Sequence, residues 1–276
     1  MAGDTPLVLG CDFSSSPTKT KPIVLALGQL DRGRVRLNEL LTFPSLDEWG
    51  DWLQHEGDWV GGFDLPFGLP RELVLELGWP QTWAACMDHY CALSRAEIRA
   101  QFKAFCDARP VGNKFAHRAC DGPAGSSPSM KWVNPPVAYM MHAGVPLLRA
   151  AGLHLPGLCD GDARRVGLEA YPGLLARELI GNRSYKSDDR SKQTAERWVA
   201  RSDLLQKLEL GQTNLGLRLQ LSNALREKLL SDGKADALDA VLCMVQAAWG
   251  LSRYQQGDQR YGLPDCDPLE GWIVGG

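Results

Sequence analysis

The fold is decided by three apolar segments at the start of the chain: PLVLGCDF (6–13), PIVLALGQL (22–30) and GRVRLNELLTF (33–43). Each segment is rich in Val, Leu or Ile and has the length of a strand. The link between the second and third segments, DRG (31–33), has the composition of a hairpin turn. The chain is therefore predicted to begin with a meander of three strands.

Strands and helices alternate after this meander. A capping box at Ser45 and Glu48 opens a helix through about His55, and DWVGGFD (58–64) is an apolar strand that ends on a carboxylate. RRVGLEAY (164–171) returns to strand character. Further helices are predicted near Arg71, after Pro172, and at 189–210, 215–230 and 233–254. This order predicts an α/β fold in which a mixed sheet carries helices on both faces.

The middle of the chain, residues 80–160, differs in its sequence pattern from the segments on either side. A second capping box at Ser94 and Glu97 indicates a helix, and residues 121–129 form a loop rich in Gly, Pro and Ser. We interpret residues 80–160 as a helical and loop insertion rather than an independent domain. Residues 1–276 are accordingly predicted to form one domain.

Composition excludes several classes of protein. The chain has 276 residues, of which 44% are hydrophobic and 23% charged, so it is neither disordered nor fibrous. Its 30 basic and 33 acidic residues give a net charge of −3, so any nucleic-acid binding must use a local patch. Eight cysteines without a C-x-x-C pair indicate a reducing, cytoplasmic setting. Because the longest uncharged stretch (132–148) contains three prolines, we expect no contact with membranes.

Three predicted strands end on carboxylates. Asp12 ends the first strand, Asp64 ends the strand at 58–64, and Glu169 lies near the end of the strand at 164–171. Strand ends are where α/β sheets place their ligands, so the three side chains are expected to converge. Carboxylates that share a site must be protonated or hold a cation, and hard oxygen ligands favour Mg²⁺ or Mn²⁺.

The helix predicted at 233–254 adds two acids, Asp236 and Asp239, whose spacing of three places them on one face. Four of the five acids also have a simpler explanation. Acids in a first helical turn interact favourably with the helix dipole, Asp64 would cap a turn, and Glu169 would pair with a neighbouring arginine. The joint pattern of five acids at strand ends and one helix start nevertheless favours a shared site.

Four motifs resemble those of domain-of-unknown-function family 429, a family predicted to consist of ribonuclease H-like nucleases. They are GCDFSSSP (10–17), GGFDLPFGLP (61–70), LEAYPG (168–173) and DALDAVL (236–242). The resemblance implies a five-stranded mixed sheet whose first strand carries an essential Asp and whose final helix supplies another acid. By that resemblance the metal ligands, or their neighbours, would be Asp12, Asp64, Glu169, Asp236 and Asp239.

The implied chemistry is hydrolysis of a phosphodiester bond by two Mg²⁺ or Mn²⁺ ions about 3.5–4 Å apart. Asp12 would bridge the ions, while Asp64 or Glu169 and one helix acid would hold one ion each. Substrate phosphates would contact the hydroxyls of Ser14 and Ser15 and the basic run at 183–201, which contains Lys186, Arg190 and Lys192. The substrate is expected to be nucleic acid or a smaller phosphoester.

Two other functions compete with the nuclease hypothesis. One is an ATP-dependent phosphotransferase of the actin and sugar-kinase superfold, in which the serine-rich turn at 14–16 would hold ATP phosphates. Such kinases normally need two domains, which 276 residues with an insertion hardly supply. The other is a non-catalytic nucleic-acid-binding module. Five retained acids argue against a module without catalysis, because clustered carboxylates destabilise a fold.

Overall fold

The computed structural model describes residues 6–276 and contains a mixed sheet of seven strands within that range. The strands are β1 Leu7–Asp12, β2 Ile23–Asp31, β3 Arg34–Phe43, β4 Trp59–Phe63, β5 Leu153–His154, β6 Asp162–Glu169 and β7 Arg218–Gln220. Their order across the sheet is β5-β6-β4-β1-β2-β3-β7. The predicted class, an α/β protein with a mixed sheet flanked by helices, is thus confirmed.

The predicted count of five strands is wrong. The two additional strands are the short edge strands β5, of two residues, and β7, of three. Segments of two or three residues are too short to show a periodic pattern. β5 and β7 are strands because they pair with β6 and β3. The prediction of a helix over 215–230 is also wrong at its start, because β7 precedes the helix that begins at Asn223.

Strand directions bring three strand ends to one edge of the sheet. β1, β2 and β3 pair antiparallel, whereas β4 runs parallel to β1 and β6 runs parallel to β4. Cys11 lies opposite Phe63, which in turn lies opposite Glu169. Asp12, Asp64 and Glu169 therefore stand at neighbouring carboxyl ends of parallel strands.

Helices cover both faces of this sheet. They are α1 Leu46–Leu53, α2 Arg71–Glu76, α3 Trp83–Ala92, α4 Arg95–Asp107, α5 Asp121–Ala124, α6 Val137–Ala150, α7 Pro172–Ile180, α8 Ala195–Leu210, α9 Asn223–Ser231 and α10 Asp236–Gln255. α1–α4 and α6 pack on the face that carries Leu9 and Phe63. α7–α10 pack on the opposite face, which carries Val8 and Val60. No helix among the residues just described is both long and apolar enough to cross a membrane.

Glycines let α10 approach the sheet closely. A Cβ atom on Gly10 would lie 2.1 Å from the carbonyl oxygen of Ala240, and one on Gly62 would lie 2.4 Å from that of Cys243. Real Cβ contacts are never that short, so a side chain at either position would push the helix away from β1 and β4. The close approach fixes the N-terminus of α10, with Asp236 and Asp239, beside the carboxyl end of β1.

Candidate active site

A cavity of about 520 Å³ opens at the edge where β1, β4 and β6 end. Four of the five predicted acids line it: Asp12, Asp64, Glu169 and Asp236. The fifth, Asp239, is not a lining residue and is 1% exposed. Its hydrogen-bond partner Lys186 is a lining residue, so all five acids belong to one region.

Three of these carboxylates have no protein partner among residues 6–276. The side chains of Asp12, Asp64 and Asp236 form neither a hydrogen bond nor an ion pair there. Asp236 is not needed as a cap, because the carboxylate of Asp232 accepts the backbone N–H of Ala237 at 3.2 Å. The simpler explanation for Asp64, capping a turn, therefore receives no support from hydrogen bonds, whereas Asp236 does lie in the first turn of α10, where the helix dipole favours an acid.

Strand alternation separates Glu169 from Asp12 and Asp64. Leu168 and Ala170 pack into the core on the α10 face, so Glu169, between them, points to the opposite face. Asp12 lies four residues after Val8, and Asp64 lies four residues after Val60. Both acids therefore point to the same face as these valines, which is the α10 face. Two acids and the start of α10 thus meet on one side of the sheet edge, with Glu169 on the other.

Glu169 is bound by a buried arginine. Arg118 Nη2 and Nη1 donate to the two Glu169 carboxylate oxygens at 2.6 and 2.8 Å, and the backbone N–H of Phe67 donates at 2.9 Å. Arg118 also donates from Nε and Nη2 to Asp121 at 3.1 and 3.0 Å. This fork geometry satisfies the Glu169 oxygens, so Glu169 would have to release Arg118 before holding a metal. The simpler explanation for Glu169, an ion pair with a neighbouring arginine of its own strand, is wrong, since Arg164 and Arg165 both contact Asp162.

Asp239 is likewise occupied by partners of its own. The hydroxyl of Tyr185 donates to Asp239 Oδ1 at 2.6 Å, and Lys186 Nζ donates to Oδ2. The side chain of Lys186 is 46% exposed, so this ion pair joins a buried carboxylate to the cavity. The ammonium group thereby brings a positive charge close to the unpaired acids.

The environment raises the pKa of each unpaired carboxylate. Burial, reinforced by the charges of Asp239 and Asp64, raises the pKa of Asp12 well above its usual range. Burial raises the pKa of Asp64 to about 7, against the opposing effect of Lys186. Burial and the neighbouring Asp232 raise the pKa of Asp236 to about 6. A cation bound among these groups would stabilise their ionised forms.

This electrostatic cost predicts that Asp64→Asn stabilises the metal-free protein in a pH-dependent manner. The pKa of Asp64 is higher in the folded than in the unfolded chain. The stability that its protonated carboxyl contributes to the folded state is therefore fully present below about pH 4 and is lost as the pH rises through about 7. Three pKa units correspond to roughly 4 kcal/mol. We expect Asp64→Asn to raise Tm at pH 8 by at least about 4 °C and to leave it unchanged at pH 4. Equal melting curves in EDTA at pH 8 would contradict this electrostatic account.

The predicted substrate-binding residues divide into two groups. Ser14, Ser15 and Lys186 line the cavity. Lys192 lies instead at a second depression, of about 420 Å³, where it forms an ion pair with Asp189. Arg190 lines neither of these two sites. The structure does not bring Arg190 and Lys192 to the acids, and their contact with substrate remains a prediction.

Sequence reasoning missed other residues that line the cavity. They are Lys21, Arg118, Ser126, Ser127, Tyr171, Asp188 and Lys234. Tyr171 lies within the quoted motif LEAYPG, and Lys234 stands two residues before Asp236, so position relative to the motifs was an available signal. Arg118 and Lys21 are far in sequence from the acids that they bind, Glu169 and Asp188, and no motif marks them.

The residues present suit a hard divalent cation in their chemistry. In the described part of the chain no three His, Cys, Asp or Glu side chains already surround one point as a metal cluster. Mg²⁺, however, is commonly held by one or two carboxylates and completes its shell with water and substrate oxygens. The unpaired carboxylates of Asp12 and Asp64 fit that requirement, with Asp236 beside them.

Comparison with known proteins identifies the family. Residues 10–260 match the family model described as "Protein of unknown function (DUF429)". No curated protein and no solved structure matches the chain. The matched range contains all five acids and most of the cavity lining. Because the match covers most of its length, the chain belongs to the DUF429 family.

Proposed function

We propose that the protein hydrolyses phosphodiester bonds with the help of a bound divalent cation. The observation that carries this proposal is the set of unpaired carboxylates, Asp12, Asp64 and Asp236, on one cavity. Three ionised acids without partners on one cavity destabilise the fold unless they are protonated or a cation neutralises them. The arrangement therefore favours a metal-dependent enzyme over a non-catalytic binding module.

We further propose that the fold is ribonuclease H-like. Three antiparallel strands followed by parallel strands form the centre of the sheet, and an acid ends the first strand. Asp236 and Asp239 begin the long helix that packs on β1. These features agree with the architecture that the resemblance implies, and the two short edge strands extend it without altering the central order.

Asp12 and Asp64 would hold the cation. A divalent ion there would neutralise charge on a phosphodiester and lower the pKa of a water molecule that attacks phosphorus. The hydroxyls of Ser14 and Ser15 and the ammonium of Lys234 line the same cavity and would bind the non-bridging oxygens. Lys186, held by Asp239, adds positive charge where negative charge develops in the transition state.

Asp236 is suited to accept the proton of the attacking water. It has no hydrogen-bond partner among residues 6–276, it faces the cavity, and its pKa of about 6 lies near neutrality. None of the five histidines lines the cavity, so histidine is not placed to act as this base. The proposed reaction thus uses carboxylates for both metal binding and proton transfer.

The direct test is metal-dependent hydrolysis by the intact protein. After dialysis against EDTA, we expect no cleavage of a fluorogenic oligonucleotide or of bis(p-nitrophenyl) phosphate until Mg²⁺ or Mn²⁺ is added. Each metal should also raise Tm, because an ion that binds only the native state stabilises it. Stabilisation by ATP with phosphate transfer would instead support the phosphotransferase. A protein stabilised by neither metal nor nucleotide would be the binding module.

A further inference from the structure

The acids lie in a partly open cavity, here called the enclosure, rather than on a flat face. The lining comes from separate segments: residues 12–15 and 21–22 after β1, residues 126–127 after α5, residues 135–137 and Met140 at the start of α6, and Tyr171 before α7. Its volume of about 520 Å³ falls within the roughly 300–1,000 Å³ of sites that bury small ligands. A duplex presents its phosphates on a broad convex surface, whereas this site requires the reacting group to enter.

The charges in the enclosure suit a single phosphate. Three of its four basic side chains are paired with carboxylates: Lys21 with Asp188 at 2.7 Å, Arg118 with Glu169 at 2.6 Å, and Lys186 with Asp239. Lys234 alone among them forms no ion pair within residues 6–276, and its ammonium donates to the carbonyl oxygen of Thr20. Tracking a duplex backbone requires a row of available cations, each neutralising one phosphate. Once a cation or protons neutralise the unpaired carboxylates of Asp12, Asp64 and Asp236, one unpaired ammonium and nearby serine hydroxyls match one phosphate group.

The two walls of the enclosure differ in polarity. One wall is charged: Lys186, Asp188 and Lys234 belong to the connections before α8 and α10, and Asp236 is the first residue of α10. Residues 135–137 and Met140 make the facing wall apolar. A ligand with a charged phosphate at one end and a flat, weakly polar group at the other would satisfy both walls.

We infer that the cavity receives one nucleotide-sized phosphoester unit, with its phosphate beside Lys234 and its base against Met140 and residues 135–137. Such a unit is either a free small phosphodiester or one unpaired nucleotide of a single strand. A paired nucleotide in a duplex is excluded until its base pair opens. The inference about cleavage rests on the proposed function, whereas the inference about binding shares with it only the need to neutralise Asp12, Asp64 and Asp236.

Binding of thymidine 5′-monophosphate, measured by calorimetry with and without Mn²⁺, tests the inference without turnover. We expect Lys234→Ala to weaken this binding about tenfold or more, the loss typical of one charge-assisted hydrogen bond. Lys228→Ala is the matched control, because Lys228 is exposed on α9 and forms no ion pair in the described chain. The control should bind like the wild type. No binding, or equal binding by the two variants, would overturn the inference.

Cleavage rates then identify the source of the unit. We expect kcat/KM with Mn²⁺ to be at least about tenfold lower for a blunt duplex than for the same strand unpaired, because a base pair must first open. Hydrolysis of the p-nitrophenyl ester of thymidine 5′-monophosphate would show that a free phosphodiester is sufficient. Equal kcat/KM on duplex and single strand would overturn the inference and leave the proposed function intact. Binding through Lys234 without cleavage of any substrate would retain the inference and contradict the proposed function.

Discussion

Asp12→Asn is expected to remove most of the response of the protein to metal. An ion at tenfold excess over its Kd stabilises the native state by roughly 1.4 kcal/mol. For a chain of this size that corresponds to about 2–5 °C in Tm. Asp12 has no other partner within residues 6–276 and lines the same cavity as Asp64, so most of this increase should vanish. Hydrolysis should fall at least about 100-fold, since loss of even an outer-shell partner of a metal ligand costs 10–100-fold.

The same substitution has the opposite effect on the metal-free protein. Burial and the charges of Asp239 and Asp64 raise the pKa of Asp12, so its ionised form costs stability. Asp12→Asn in EDTA at neutral pH should therefore melt at the wild-type temperature or above it. Asp51→Asn, an exposed change on α1, provides the control and should keep the full metal response. Equal metal responses in wild type and Asp12→Asn would show that Asp12 is not a ligand.

The central strands and their acids follow from local patterns in the sequence. β1 and β4 are short apolar runs that end beside a carboxylate, and both features are readable from LGCD and GGFD. The glycines in the same motifs sit where α10 approaches within van der Waals distance. The positions of Asp12 and Asp64 could therefore be predicted from these local motifs, and the glycines in the motifs explain why α10 can approach the two acids.

The partners of the remaining acids depend on contacts across the chain. Glu169 meets Arg118, which is 51 residues away in a loop before α5, and Lys21 meets Asp188, 167 residues away. A sequence pattern with a period of two or 3.6 residues carries no information on such pairs. The direction of the Glu169 side chain could have been predicted from the sequence, because it alternates with Leu168 and Ala170 along β6 and so points away from α10. Burial then made an arginine partner necessary, without indicating which arginine.

Arg118→Ala is expected to be among the most destabilising single substitutions in the protein. Arg118 is 3% exposed, and its guanidinium holds two buried carboxylates, Glu169 at 4% and Asp121 at 1% exposure. Removing one partner of a buried ion pair leaves an uncompensated charge, which costs about 3–5 kcal/mol. Arg118→Lys should recover only part of this loss, because an ammonium cannot reproduce the fork of hydrogen bonds. Chemical denaturation at neutral pH measures both values.

A double substitution separates the ion pair from simple loss of packing. In Arg118→Met/Glu169→Gln the buried charge of Glu169 disappears together with its partner, while Asp121 keeps the hydroxyl of Ser126 at 3.1 Å. The double variant should be more stable than Arg118→Met alone, because Glu169 no longer leaves a charge buried without a partner. With Glu169→Gln as the second single variant, the cycle should give a coupling energy of about 1–3 kcal/mol. Arg99→Ala, exposed on α4, should change stability by less than about 0.5 kcal/mol. If Arg118→Ala resembled Arg99→Ala, Glu169 would not depend on Arg118, and its carboxylate would be available to a metal.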